Sequence, residues 1–123
     1  LIRNVMNPMI TRTILASLLT MIGSQVYAAS SIYYPKPGGV ICDKKAGFCA
    51  DDQGVSVSIT EMELGAKASK ALMAQINEVG VANFDATSFT MSGGLQCETK
   101  QKKCFNRLDK KVDAKATKAL FGQ

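Results

Sequence analysis

Four cysteines, Cys42, Cys49, Cys97 and Cys104, are the side chains of this sequence best suited to chemistry, and they come in two pairs of identical spacing. Six residues separate the members of each pair. Disulfide formation and zinc ligation both use cysteines in this way. Structural zinc ligands are usually two to four residues apart, and the chain contains no histidine, so the spacing argues for disulfides. Four cysteines allow three connectivities. Gly38-Gly39-Val40-Ile41-Cys42 and Gly93-Gly94-Leu95-Gln96-Cys97 repeat one device. That repeat favours Cys42–Cys49 and Cys97–Cys104, because a duplicated unit would carry its own bridge. A bridge between the two halves is the alternative. Each short loop closed in this way would contribute about 2–3 kcal/mol through chain entropy.

Other chemistry has few candidates. Without histidine, a Ser-His or Cys-His nucleophile system is impossible, and the commonest general base is missing. Asp51 and Asp52 are adjacent in a turn-like stretch, where carboxylates serve as solvated turn formers. Glu61 and Glu63 lie where negative charge suits the start of a helix. Asp51-Asp52-Gln53-Gly54 supplies too few ligands for a calcium loop, and no phosphate-binding glycine motif occurs. The expectation is a protein that is not an enzyme and holds no cofactor or metal.

Lysines form the remaining candidate surface. Lys44 and Lys45 fall on one loop between cysteines and Lys100, Lys102 and Lys103 on the other, with Arg107, Lys110 and Lys111 following. Such clusters can meet lipid phosphate, an acidic glycan or an acidic protein face. Their ordinary role is to keep hairpin tips solvated. Tyr33, Tyr34 and Phe48 could add an apolar contact patch, although aromatic residues more often pack a core. Aromatic residues are not interleaved with the lysines, which argues against nucleic acid.

Ile32-Tyr33-Tyr34 is β-prone and stops at Pro35 and Pro37. Val40-Ile41-Cys42 and Phe48-Cys49-Ala50 flank a polar, glycine-containing loop, as a β-hairpin requires. Val55-Ser56-Val57-Ser58-Ile59 alternates like a half-buried strand. Thr60 and Glu63 have capping-box spacing, and the apolar period predicts one helix from Thr60 to Val79, ended by Gly80. After a connector comes a Ser88–Met91 strand, then a second hairpin around Leu95-Gln96-Cys97 and Cys104-Phe105. A last helix is capped by Asp109 or Asp113 and ends near Phe121. Ala66-Lys67-Ala68-Ser69-Lys70-Ala71-Leu72 and Ala114-Lys115-Ala116-Thr117-Lys118-Ala119-Leu120 are near-copies. The predicted fold is α+β: a small antiparallel sheet with two helices on one face. Two duplicated hairpin–helix units, residues 32–80 and 88–123, would build it around one core, since each alone is too small to bury much surface.

Residues 1–28 read as a secretory signal: Arg12, an apolar run through Ile22, and Val26-Tyr27-Ala28 before cleavage after Ala28, with Ala29 as the alternative. Residues 1–8 fit an upstream extension, with Met6 or Met9 as the start. The apolar run is about half of the ~20 residues a membrane span needs. Removal of the signal takes Arg3 and Arg12 and leaves residues 29–123 as a single domain with 13 basic and 10 acidic side chains, net +3. Disulfides in so short an exported chain indicate the periplasm or secretion.

The first cysteine block, from Gly39 through Asp51 (Gly39-Val40-Ile41-Cys42-Asp43-Lys44-Lys45-Ala46-Gly47-Phe48-Cys49-Ala50-Asp51), resembles the Fels-1 prophage protein-like family. So do Tyr34-Pro35, Gln53-Gly54-Val55-Ser56, Asn83-Phe84-Asp85, Phe89-Thr90-Met91-Ser92 and the second cysteine pair. The resemblance covers most of residues 33–104. It implies a small exported protein of enteric and related bacteria, some of them prophage-borne, and brings no catalytic residues. The functional expectation is a non-enzymatic periplasmic or secreted binding module for a protein partner, with an inhibitor of an envelope-targeting enzyme such as a lysozyme as one concrete version. The alternative is a structural or stress-linked envelope protein that holds anionic lipid or glycan through its lysine tips.

Overall fold

The computed structural model describes residues 30–123, and the expected signal lies outside the described residues. Two antiparallel sheets form. The first contains β1 (Ile32–Tyr33), β2 (Val40–Asp43), β3 (Phe48–Asp51) and β4 (Gly54–Ser56), side by side in that order. The second contains β5 (Ser88–Met91), β6 (Leu95–Glu98) and β7 (Lys103–Asn106), again in order. Helices α1 (Val57–Leu64) and α2 (Ala66–Val79) lie between the sheets in sequence, and α3 (Ala114–Phe121) follows the second. The α+β class and the antiparallel pairing are as expected, but the strands divide into two sheets, and the described residues hold three helices.

Both disulfides are local. Cys42 faces Cys49 across β2 and β3, and Cys97 faces Cys104 across β6 and β7. All four cysteines are fully buried. Each bridge pins the register of its hairpin, because a one-residue slip of one strand would put the two sulfurs on opposite faces. The core draws on both sheets: Ile41 and Ala50 from the first, Phe89, Met91 and Leu95 from the second, and Ala116 and Leu120 from α3. In β5 the alternation is clear, with Phe89 and Met91 buried and Thr90 exposed. Helix α3 packs on both β7 and β2 and so ties the sheets together.

The stretch Val55–Ile59 departs from its alternating pattern. Strand β4 ends at Ser56 because the Ser56 side chain accepts the Ile59 N–H at 3.1 Å and caps α1. The helix therefore starts before Thr60. It also does not run unbroken to Val79: Gly65 sits at φ 99°, ψ 168°, which ends α1 and opens α2. Positive φ is readily available only to glycine. Helix α2 stops at Gly80, as expected, and Asp113 caps α3 by accepting the Ala116 N–H at 2.9 Å.

The two near-copied segments are α2 and α3, yet their surroundings differ. The Thr117 hydroxyl of α3 accepts the buried Cys104 N–H at 3.0 Å. In the first half, the same service to Cys49 comes from Thr60 of α1, at 2.8 Å. Each threonine lies four residues after its helix cap, Ser56 or Asp113. Ser69, which the near-copy aligns with Thr117, instead donates to Ala66 O in its own helix. By hydrogen bonding, α3 corresponds to α1, and α2 packs chiefly against α1.

Candidate binding surfaces at the two ends of the domain

Strand direction places the lysine clusters. Chain flow in β2 leads to Asp43 and the first hairpin tip. The Asp43 carboxylate there accepts the Ser31 hydroxyl at 2.6 Å and the backbone N–H groups of Lys45 and Ala46 at 3.0 and 3.2 Å. Its other oxygen accepts the Ser92 N–H at 2.7 Å. Burial pushes the Asp43 carboxyl up, but the donors on both oxygens outweigh it and bring its pKa down to about 2. Ser92 begins the turn Ser92–Gly94 that leads into β6, so the first hairpin tip lies beside the start of β6. Strand β6 then runs away to the second tip, a distance of roughly 10–14 Å for four residues. The tips carrying Lys44 and Lys45 and carrying Lys100, Lys102 and Lys103 therefore occupy opposite ends.

The end with the first tip also receives the loop 107–111. Arg107 N–H donates to Gly94 O at 2.9 Å, and Phe105 bridges Val112. Arg107, Lys110 and Lys111 thus sit with Lys44 and Lys45, not with the second tip that they follow in sequence. Leu108 projects from this loop at 92% exposure. Lys110 is held at φ 64°, with its ammonium 5.8 Å from the Phe105 ring centroid.

The opposite end contains a cleft of about 410 Å³. It is lined by Asp52 and Gln53 of the β3–β4 turn, Thr87, Thr99 with Lys100 and Lys102 of the second tip, and Leu120 and Phe121 of α3. Backbone hydrogen bonds hold these segments: Val55 N–H to Ala86 O at 2.9 Å, Thr99 N–H to Thr87 O at 2.8 Å, and Lys102 N–H to Thr99 O at 3.1 Å. The Thr87 hydroxyl and N–H keep the neighbouring Asp85 carboxyl below its usual range, helped by the charge of Lys100. Lys103 is exposed on β7, in register with Glu98.

The three aromatic candidates are engaged within the chain. The Tyr33 ring lies under Lys44, 5.3 Å from its ammonium, and its hydroxyl donates to Glu63 at 3.3 Å. Tyr34 lies under Lys115 at 5.4 Å and packs on the core. Phe48 meets Phe89 edge to face at 5.9 Å between centroids. Asp43, Leu108 and Phe121 have no place among the sequence candidates, and Asp52 and Gln53 enter there only as turn formers with too few ligands for calcium. A lone leucine inside the basic run Asn106-Arg107-Leu108-Asp109-Lys110-Lys111 was the available signal for Leu108.

All four cysteine sulfurs are committed to disulfides, and no group of acidic or cysteine side chains among the described residues is arranged to hold a metal ion. No helix among them is long and apolar enough to cross a membrane. The two buried bridges suit an oxidising, extracytoplasmic setting.

Comparison with known proteins returns the family described as "YcgJ protein", whose model matches residues 32–121. The chain is also 29% identical over 91 residues to "Uncharacterized protein YcgJ" of Escherichia coli (strain K12), covering 68% of each chain. These matches carry the YcgJ name and not that of the Fels-1 prophage protein-like family. No solved structure matches.

Proposed function

The chain belongs to the YcgJ protein family, and from that premise we propose that its domain is an exported, non-enzymatic binding module of the periplasm or the exterior. It engages a macromolecular partner through the end that bears the second hairpin tip. The cleft at that end carries the reading. Four separate segments converge on it, and hydrogen bonds already hold them in place, so a partner would be met with little ordering cost. Lys100, Lys102 and Asp52 all line it, which suits a partner surface with both an anionic group and a donor. The opposed placement of the two lysine tips speaks against one flat lipid-binding face made from both.

The test is affinity capture from envelope extract with the oxidised domain, comparing it with a Lys100→Gln/Lys102→Gln variant. The reading expects a specific protein, retained at moderate salt and lost with the variant. Retention that is indifferent to both substitutions, or no retained protein, would remove the cleft as the contact site.

A further inference from the structure

A single exposed leucine is ordinary on a protein surface. Leu108 differs because the chain spends many hydrogen bonds holding it outward. Asn106 Oδ1 accepts the Leu108 N–H at 2.8 Å and the Asp109 N–H at 3.3 Å. The Asn106 N–H donates to Lys111 O, and the Lys110 N–H donates to Asn106 O, both at 2.8 Å. Asp109 turns its carboxylate back onto the Lys111 N–H at 2.9 Å. The loop is a closed, rigid protrusion. At its apex a side chain that prefers an apolar medium is 92% exposed, flanked by Arg107, Lys110 and Lys111.

We propose that the loop 107–111 docks the domain on an anionic lipid surface, with Leu108 entering the boundary between headgroups and acyl chains and the flanking cations meeting lipid phosphate. Charge complementarity selects this occupant. The loop carries three cations against Asp109, and Lys44 and Lys45 stand at the same end of the domain. A broad anionic surface draws on the charge of this whole end and does not need one fixed partner group for each cation. The protrusion is convex, so it fits a deformable surface. A basic face combined with an inserted apolar side chain is the pattern of reversible interfacial binding. Docking by this end would leave the cleft at the opposite end facing away from the membrane, so the inference is independent of the cleft.

The chain has no tryptophan, so Leu108→Trp creates a single fluorescent reporter at the apex. Its emission should shift to the blue with mixed phosphatidylcholine–phosphatidylglycerol vesicles and stay unchanged with pure phosphatidylcholine. In co-sedimentation, Lys110→Gln and Lys111→Gln should each weaken binding about fivefold at low salt. Leu108→Asp should weaken it about tenfold or more, whereas Lys100→Gln/Lys102→Gln should change it less than about twofold. Circular dichroism on each variant checks that it is folded. An unshifted emission, equal binding to neutral vesicles, or full binding by folded Leu108→Asp would overturn the assignment. A shift produced by a captured protein but not by vesicles would give the loop to a protein pocket and overturn it equally.

Discussion

Asp43 and Ser92, 49 residues apart, are joined by a 2.7 Å hydrogen bond in which the Ser92 backbone N–H donates to the Asp43 carboxylate. The same carboxylate closes the first hairpin tip through the N–H groups of Lys45 and Ala46. One buried side chain thus sets a local turn and fastens the first sheet to the second. The corresponding acid of the second hairpin, Glu98 after Cys97, stays within its own sheet, accepting from the Ser88 hydroxyl and the Gln96 amide.

Asp43 should make the domain acid-sensitive. Its folded pKa, about 2, lies below the ordinary carboxyl value of 3.8. A depressed carboxyl pKa stabilises the fold fully above the unfolded value and ceases to do so as pH falls through the folded one. The contribution, about 2 kcal/mol, should be complete above roughly pH 5 and lost between about pH 4 and pH 2. Asp43→Asn should cost about 1–3 kcal/mol at pH 7, since an amide cannot accept on both sides. It should also flatten the acid limb of stability. Urea unfolding of both proteins from pH 7 to pH 2 measures this, and an unchanged acid limb in the variant would refute it.

The bridges should be inert until the fold opens. Cys42, Cys49, Cys97 and Cys104 are all inaccessible to solvent. Reduction by dithiothreitol, followed by mass spectrometry after alkylation, should therefore track global unfolding and accelerate sharply with added urea. Replacing either pair by alanine should lower stability by about 2–3 kcal/mol. Rapid reduction of one bridge in the native protein would show a locally opening hairpin and contradict this expectation.

Gly54 should tolerate nothing larger. It sits at φ 123°, and a Cβ there would lie 2.1 Å from Ala86 O, the acceptor that binds Val55 N–H. Gly47, at φ 85°, has open space around the same position. Gly54→Ala should therefore cost about 3 kcal/mol or more, against about 1 kcal/mol for Gly47→Ala, where only backbone strain acts. Thermal melting of the two variants compares them directly, and equal losses would mean that the sheets separate easily at this contact.

Short-range features were legible in the sequence, while long-range ones were not. The hairpin flanks, the Ser88–Met91 strand, the Gly80 stop and the Asp113 cap each depend on a few neighbouring residues. The cysteine pairing followed from repetition. The helix boundary at Ser56 was hidden because Val55-Ser56-Val57-Ser58-Ile59 satisfies the strand period, and a serine cap outweighed it. Gly65 lies inside an otherwise good helical period, which masks the break it makes. Asp43 resembled an ordinary turn former because its decisive partner is 49 residues away. Lysine positions were read from sequence proximity, which put Lys110 and Lys111 beside Lys100. Chain reversal in β7 carries them to the other end.

In its hydrogen bonds, α3 corresponds to α1 of the first half and not to α2. Thr60 and Thr117 each accept a buried cysteine N–H, and each also donates, to Ser56 O at 2.7 Å and to Cys104 O at 3.1 Å. Valine keeps the shape but leaves that N–H unpaired, so Thr60→Val and Thr117→Val should each cost about 1–3 kcal/mol. The hairpins they support do not share these hydrogen bonds, so the two losses should be close to additive in the double variant. Ser69 serves only its own helix, and Ser69→Ala should cost less than about 1 kcal/mol. Urea unfolding of the three single variants and the double variant separates the possibilities. A large loss at Ser69 with a small one at Thr60 would restore α2 as the counterpart of α3, as the near-copied residues suggest. The reverse order would mean that the likeness between the two alanine-lysine segments reflects helix-forming composition, not equivalent positions in the fold.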